Sequence, residues 1–102
     1  MAFPGVSMPA ESALQPMHVP TLSGKFRLQY EQAQAAWVLL YPEGMVKLSG
    51  TAGEIMKRID GRITVDGLIG DLEAAFPGAA LRQDVLDFLQ EARARGWIQS
   101  GP

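Results

Sequence analysis

The order of patterns along this chain predicts an α+β fold, a three-stranded antiparallel sheet followed by three helices. Three observations carry the prediction. Residues 25–31 alternate strictly, with Phe26, Leu28 and Tyr30 on one side and Lys25, Arg27, Gln29 and Glu31 on the other, the signature of a half-buried strand. The run Trp37-Val38-Leu39-Leu40-Tyr41 is apolar without interruption, as in a strand covered on both faces. After residue 48 the apolar spacing changes from two to three or four and stays there to residue 95.

The central strand and its partner organise the rest. Pro42 presets the first central position of a turn, and Gly44 can take the positive φ that follows a type I turn with a bulge. The returning limb, Met45 to Leu48, is short and carries Lys47, as sheet edges do. Met45 and Lys47 then project to one face, Val46 and Leu48 to the other. Gln32 to Gln34 link the first strand to the second, so a meander is the natural order.

Three helices follow. Ser49 or Thr51 can cap the first, Thr51 and Glu54 have capping-box spacing, and Ala52, Ile55, Met56 and Ile59 form its stripe before Asp60-Gly61 ends it. Thr64 can cap the second, with Asp66 in its first turn and Val65, Leu68, Ile69, Leu72 and Phe76 on its buried face. Gly67, Gly70 and Ala74 offer a small-residue face for close approach, and Pro77-Gly78 stops the helix. The third spans about residues 80–95, with Leu81, Val85, Phe88, Leu89 and Ala92 on one face, a Glu91–Arg95 pair and Gly96 as C-cap. Trp97-Ile98 is expected to pack back as a plug.

Residues 1–24 hold four of the seven prolines and follow neither period, so they read as a flexible proline-rich N-terminal arm, residues 25–98 as the domain, and 99–102 as a C-terminal tail. Met8, Leu14, Met17 and Val19 could cover a hydrophobic edge. With 102 residues the chain suffices for one core. The net charge of −2 argues against general nucleic-acid binding. There is no cysteine, no secretory signal and no apolar run of about 20 residues, which points to a cytoplasmic protein.

Chemistry is sparse. The single histidine, His18, sits in the proline-rich arm without rigid support. No Cys/His cluster has zinc spacing and no glycine-rich segment fits a phosphate loop. Asp84, Asp87 and Glu91 read as the solvated face of a helix. No catalytic, cofactor or metal residue is therefore assigned, and an enzyme ranks third among the functional readings.

Trp37-Val38-Leu39-Leu40-Tyr41-Pro42-Glu43-Gly44, with Leu48, Thr51-Ala52-x-Glu54-Ile55, Asp60-Gly61, Asp84-Val85-x-x-Phe88-Leu89 and Gly96-Trp97, resembles the pyrroloquinoline quinone biosynthesis protein D (PqqD) family across residues 25–98. The resemblance implies a winged-helix-like domain that acts as a peptide recognition element and chaperone. It would hold the precursor peptide PqqA as an extra strand and present it to the radical S-adenosylmethionine enzyme PqqE. On this chain the receiving strand is Met45, Val46, Lys47 and Leu48. The groove beside the third helix would take its apolar wall from Leu81, Val85, Phe88 or Leu89 and its charged rim from Arg82 or Arg93. Strand addition suits an edge with vacant backbone groups.

Two other readings stay open. A winged-helix DNA-binding protein could use Lys57, Arg58 and Arg62, although residues 25–98 hold all nine basic side chains against ten acidic ones. A homodimer could form through the free edge, the apolar arm or the Val-Leu-Leu run.

Overall fold

The computed structural model describes residues 14–101. Its elements are β1 (Val19–Leu22), β2 (Arg27–Glu31), β3 (Ala36–Tyr41), β4 (Gly44–Lys47), α1 (Gly50–Met56), α2 (Val65–Ala75), α3 (Arg82–Ala94) and β5 (Ile98–Gly101). The three antiparallel strands β2-β3-β4, in that spatial order, precede the three helices. Beside them lies a two-stranded ribbon of β1 and β5.

The ribbon corrects the expected boundaries. Val19 pairs with Gly101 and Leu22 with Ile98, so residues 19–22 and 98–101 are strands and neither arm nor tail. Leu14 is buried, and the carbonyls of His18 and Pro16 accept from the Val65 and Asp66 amides at 2.8 and 3.0 Å. Those amides open α2 and have no partner within the helix, so the upstream segment closes a helix end. Of the residues expected to cover a hydrophobic edge, Met17 is 77% exposed and Met8 lies outside the described residues, as does the rest of the arm before Leu14.

The core lies between β3 and the helices. Leu39, Ile55, Met56, Val65, Leu68, Ile69, Val85, Leu89 and Ile98 are essentially inaccessible. Trp37 lies along α1, where Gly53 makes room for it: a Cβ at residue 53 would stand 2.8 Å from Trp37 Cδ1. Val38 points to the opposite face and is also fully shielded, flanked across the strands by Gln29 and Lys47, whose stems can cover apolar surface.

Several local expectations change. Tyr41 pairs directly with Gly44, so the β3–β4 turn is the two residues Pro42-Glu43 without a bulge. In the β2–β3 turn it is Ala35 that takes a left-handed φ, 50°. Ser49 caps α1 by accepting from the Ala52 amide at 3.1 Å, and Thr51-Glu54 does not serve as a capping box. Helix α1 ends at Met56. Asp60 instead folds the following loop, its carboxylate accepting from the Arg62 and Ile63 amides at 2.9 Å each. These two amides hold the Asp60 carboxyl below the ordinary carboxylate range. Thr64 caps α2 as expected, accepting from Gly67 at 3.0 Å. No other helix or strand meets the small-residue face: a Cβ at Gly67 would meet only Ile63 and Thr64 just before the helix, at 3.2 Å, one at Gly70 would meet nothing within 4 Å, and Ala74 is exposed. Phe76 is 44% exposed and lies past the end of α2.

Candidate functional site

The site begins with the hydrogen-bond parity of β4. The Leu48 amide donates to the Trp37 carbonyl at 2.9 Å. Antiparallel ladders alternate hydrogen-bonded and non-hydrogen-bonded pairs. Val46↔Leu39 and Gly44↔Tyr41 are therefore bonded pairs, whereas Lys47↔Val38 and Met45↔Leu40 are not. The backbone N–H and C=O groups of Met45 and Lys47 consequently point away from β3. No strand follows β4 in the sheet among the described residues. The side chains divide the same way. Met45 and Lys47 are exposed, Val46 is half-buried and Leu48 lies in the core.

Helix α3 supplies the opposite wall. Leu81, just before its first turn, and Val85, Phe88, Glu91 and Arg95 follow one another at spacings of three and four, a single stripe down the helix, with Asp84 beside Val85. Two cavities border this stripe. One of about 670 Å³ is lined by Phe26, Tyr41, Val46, Phe88, Glu91, Arg95 and Trp97. The other, of about 490 Å³, lies at the N-terminal end of α3 and includes Thr51, Ile55, Leu72, Phe76, Leu81 and Val85. The start of β4 thus lies toward the C-terminal end of α3, and the chain just beyond β4 toward its N-terminal end. Strand and helix run antiparallel along one seam.

The first cavity is built by a helix terminus. The Gly96 amide donates to Arg93 O at 3.0 Å and the Trp97 amide to Ala92 O at 2.9 Å, with Gly96 at φ 79°. This paired closure is the Schellman motif. It swings Trp97 back toward Phe88, with ring centroids 6.3 Å apart, and the Arg95 guanidinium stands 5.6 Å from the indole centroid. Across the cavity Phe26 and Tyr41 pack at 5.4 Å. The result is a predominantly aromatic hollow with the Glu91–Arg95 pair at its rim.

Charge at the second cavity is already organised. Arg58 bonds Glu54 at 2.8 Å and Asp71 at 2.6 Å, tying α1 to α2, while Lys57 reaches Glu54 at 3.1 Å. Hydrogen bonds from Arg58 and then Lys57 lower the Glu54 carboxyl below its ordinary value. Two members of the basic cluster considered for DNA are thus neutralised by acidic neighbours.

The ten residues expected to bind a peptide separate into groups. Val46 and Phe88 line the aromatic cavity, Leu81 and Val85 line the second, and Met45 and Lys47 flank Val46 on β4 with their side chains on the other face of the sheet. Leu48 and Leu89 face the core, with Leu89 0% exposed, so neither offers a wall to a ligand. Arg82 pairs with Asp66 at 2.8 Å, and Arg93 donates to Ser100 and Gln90 at 3.1 Å each, directed toward β5 and away from the seam. Sequence reasoning missed Phe26, Tyr41, Glu91, Arg95 and Trp97 as cavity lining. Their common signal was present: the alternation of β2, the end of the apolar run and the Gly96 C-cap all converge there.

His18 accepts from the Gln15 amide through Nδ1 at 3.1 Å, a local turn contact. Among the described residues no three His, Asp or Glu side chains are placed to share a metal ion, and no helix is long and apolar enough to cross a membrane.

Comparison with known proteins gives the family and the fold. The family model for coenzyme PQQ synthesis protein D (PqqD) matches residues 36–98. A protein of Acinetobacter baylyi named PqqA binding protein is 48% identical over 80 residues, 78% of this chain and 81% of the relative. A PqqA binding protein of Pseudomonas paraeruginosa is 49% identical over 82 residues, 79% of this chain and 89% of the relative. Among solved structures, the NMR structure of the PqqD truncation of Methylobacterium extorquens PqqCD superposes with a TM-score of 0.72 at 26% identity, covering 86% of this chain and 96% of that one. That truncation is described as a functional, stand-alone recognition element for ribosomally synthesized and post-translationally modified peptides. With a family match over most of the domain, close relatives and a shared fold, this chain belongs to the PqqD family, the coenzyme PQQ synthesis proteins D.

Proposed function

We propose that the chain is a non-catalytic recognition element in coenzyme PQQ synthesis, acting in the cytoplasm. It binds the precursor peptide PqqA as a further antiparallel or parallel strand on β4, beside α3, and holds it for the radical S-adenosylmethionine enzyme PqqE. The observation that carries the reading is the outward-directed backbone of Met45 and Lys47 next to an aromatic cavity. A guest strand gains main-chain hydrogen bonds from those two residues, and every second guest side chain faces the seam. Phe26, Tyr41, Val46, Phe88 and Trp97 would receive an apolar side chain there, with Leu81 and Val85 serving further along. Family membership and the names of the relatives support PqqA as the guest.

Lys47→Pro tests the reading. Proline removes the Lys47 N–H, which points away from β3, so the β3–β4 ladder loses no bond. Leaving the guest's carbonyl unpartnered costs about 1–3 kcal/mol. Calorimetric titration with PqqA should show an affinity drop of about tenfold or more, while circular dichroism stays native. Val46→Pro, which removes an inward N–H, should unfold the hairpin instead. Native folding with unchanged PqqA affinity in Lys47→Pro would count against strand addition on β4. Presentation to PqqE is tested separately, by whether PqqE co-sediments with the chain and its bound peptide.

A further inference from the structure

The cavity at the N-terminal end of α3 is built by different elements from the aromatic hollow. Apart from Thr51, Glu54 and Asp84 its lining is apolar, drawn from α1, the end of α2, the loop after it and the start of α3. Phe76, which lines it, is 44% exposed. The loop that forms one wall is held in place. The Leu81 amide donates to Glu73 Oε2 at 3.1 Å, and the Ala79 amide to the Phe76 carbonyl at 3.2 Å. At about 490 Å³ the cavity has room for a large aliphatic or aromatic side chain.

Two independent spacings relate this cavity to the hollow. Along α3 and its N-cap, Leu81 and Phe88 stand two turns apart, as do Asp84 and Glu91, about 10–11 Å along the axis. On the facing wall Val46 lines the hollow, and Gly50, the fourth residue after it, lines the second cavity. Side chains of paired strands lie on the same face when they stand opposite each other. A guest residue level with Val46 therefore faces the hollow. The next on that face is level with Leu48, which is buried in the core between the two cavities. The one after it is level with Gly50. Two residues of strand cover about 7 Å and four about 13 Å, so four is the first same-face step that spans two turns of the helix. The way in is open at Gly50, where a Cβ would meet nothing within 4 Å.

We infer that this second cavity is an anchor site for the guest, which places a large apolar side chain there four residues from the one in the aromatic hollow. The inference rests on strand addition to β4 and adds the pattern that the guest must carry. That pattern is an extended segment with large apolar residues at i and i+4, whichever way the strand runs. The residue midway, on the same face, tolerates replacement. Continuity with the seam is what commits the cavity to the guest: one stripe of α3 walls both sites, and the chain that leaves β4 enters the second.

Two variants of the full chain test the site. Gly50→Leu puts a side chain into the open space, and Phe76→Ala removes part of the wall. Both should keep a native circular dichroism spectrum and bind PqqA about tenfold more weakly in calorimetric titration, the worth of one large apolar side chain. Alanine-scanned PqqA peptides then locate the contacts. One guest position should lose its effect in Phe88→Ala and another in Phe76→Ala, and the two should lie four residues apart. Any other spacing overturns the inference, as does PqqA affinity unchanged in both Gly50→Leu and Phe76→Ala. Strand addition is judged separately: Lys47→Pro that weakens PqqA binding beside cavity variants that do not would remove the second anchor alone. Cavity variants that bind PqqA normally but no longer co-sediment with PqqE would assign the cavity to the enzyme and overturn the inference equally.

Discussion

At Gly53 one missing methyl group decides how helix meets sheet. The residue looks replaceable in sequence, a filler between Ala52 and Glu54, and alanine there improves helix propensity by about 1 kcal/mol. The structure reverses that sign, since a Cβ would lie 2.8 Å from Trp37 Cδ1. Gly53→Ala should destabilise the fold by about 1–3 kcal/mol through overpacking, measured by urea denaturation. Ala35 is the converse case. Its left-handed φ of 50° suits glycine better, so Ala35→Gly should be neutral to stabilising by about 1 kcal/mol. Neither residue could be read locally, because each depends on geometry that only the assembled hairpin defines. Glu54 gives the pH dependence. Its folded value lies below its unfolded one, chiefly through Arg58, so its contribution is full above about pH 4.3, the ordinary Glu value, and is lost as pH falls through the folded value. The pair is partly exposed, so Glu54→Gln should cost no more than about 1 kcal/mol at neutral pH. It should also flatten the acid-induced fall in Tm.

Elements with a local signal were legible, and elements with a distant partner were not. The alternation of residues 25–31 and the run Trp37–Tyr41 gave β2 and β3 directly, and the cap residues Thr64 and Gly96 marked real helix ends. The ribbon of β1 and β5 was invisible. Val19-Pro20-Thr21-Leu22 contains a proline that argues against a strand, and its partner lies at the opposite end of the chain. Helix α1 was read too long because Ile59 continues the apolar stripe although the backbone has already turned. The Schellman closure at Gly96 links element to site, since it places Trp97 against Phe88. Gly96→Ala forces a side chain into φ 79°, which should cost about 1–2 kcal/mol. It should also weaken PqqA binding relative to a control of equal stability loss, such as Gly53→Ala, in parallel titrations.

Across the whole molecule the candidate site lies where independent parts converge: the start of β2, the end of β3, the free side of β4, one face of α3 and the residue after its C-cap. The strand β4 and the helix α3, between which the guest is proposed to lie, were both legible in the sequence. The sequence did not reveal which side of the helix faces the seam, because Leu89 and Val85 belong to one apolar face and only packing separates wall from core. Arg93 was legible as a surface cation but not as one held by Ser100 and Gln90. Among the described residues no strand covers the outer side of β4, which leaves that edge open to the guest proposed above. Amide hydrogen exchange with and without PqqA measures that availability residue by residue. Slowed exchange at Met45 and Lys47 on binding, with Val46 already protected through Leu39, is the predicted result. PqqA binding that leaves the Met45 and Lys47 amides exchanging as fast as in the free protein would contradict it.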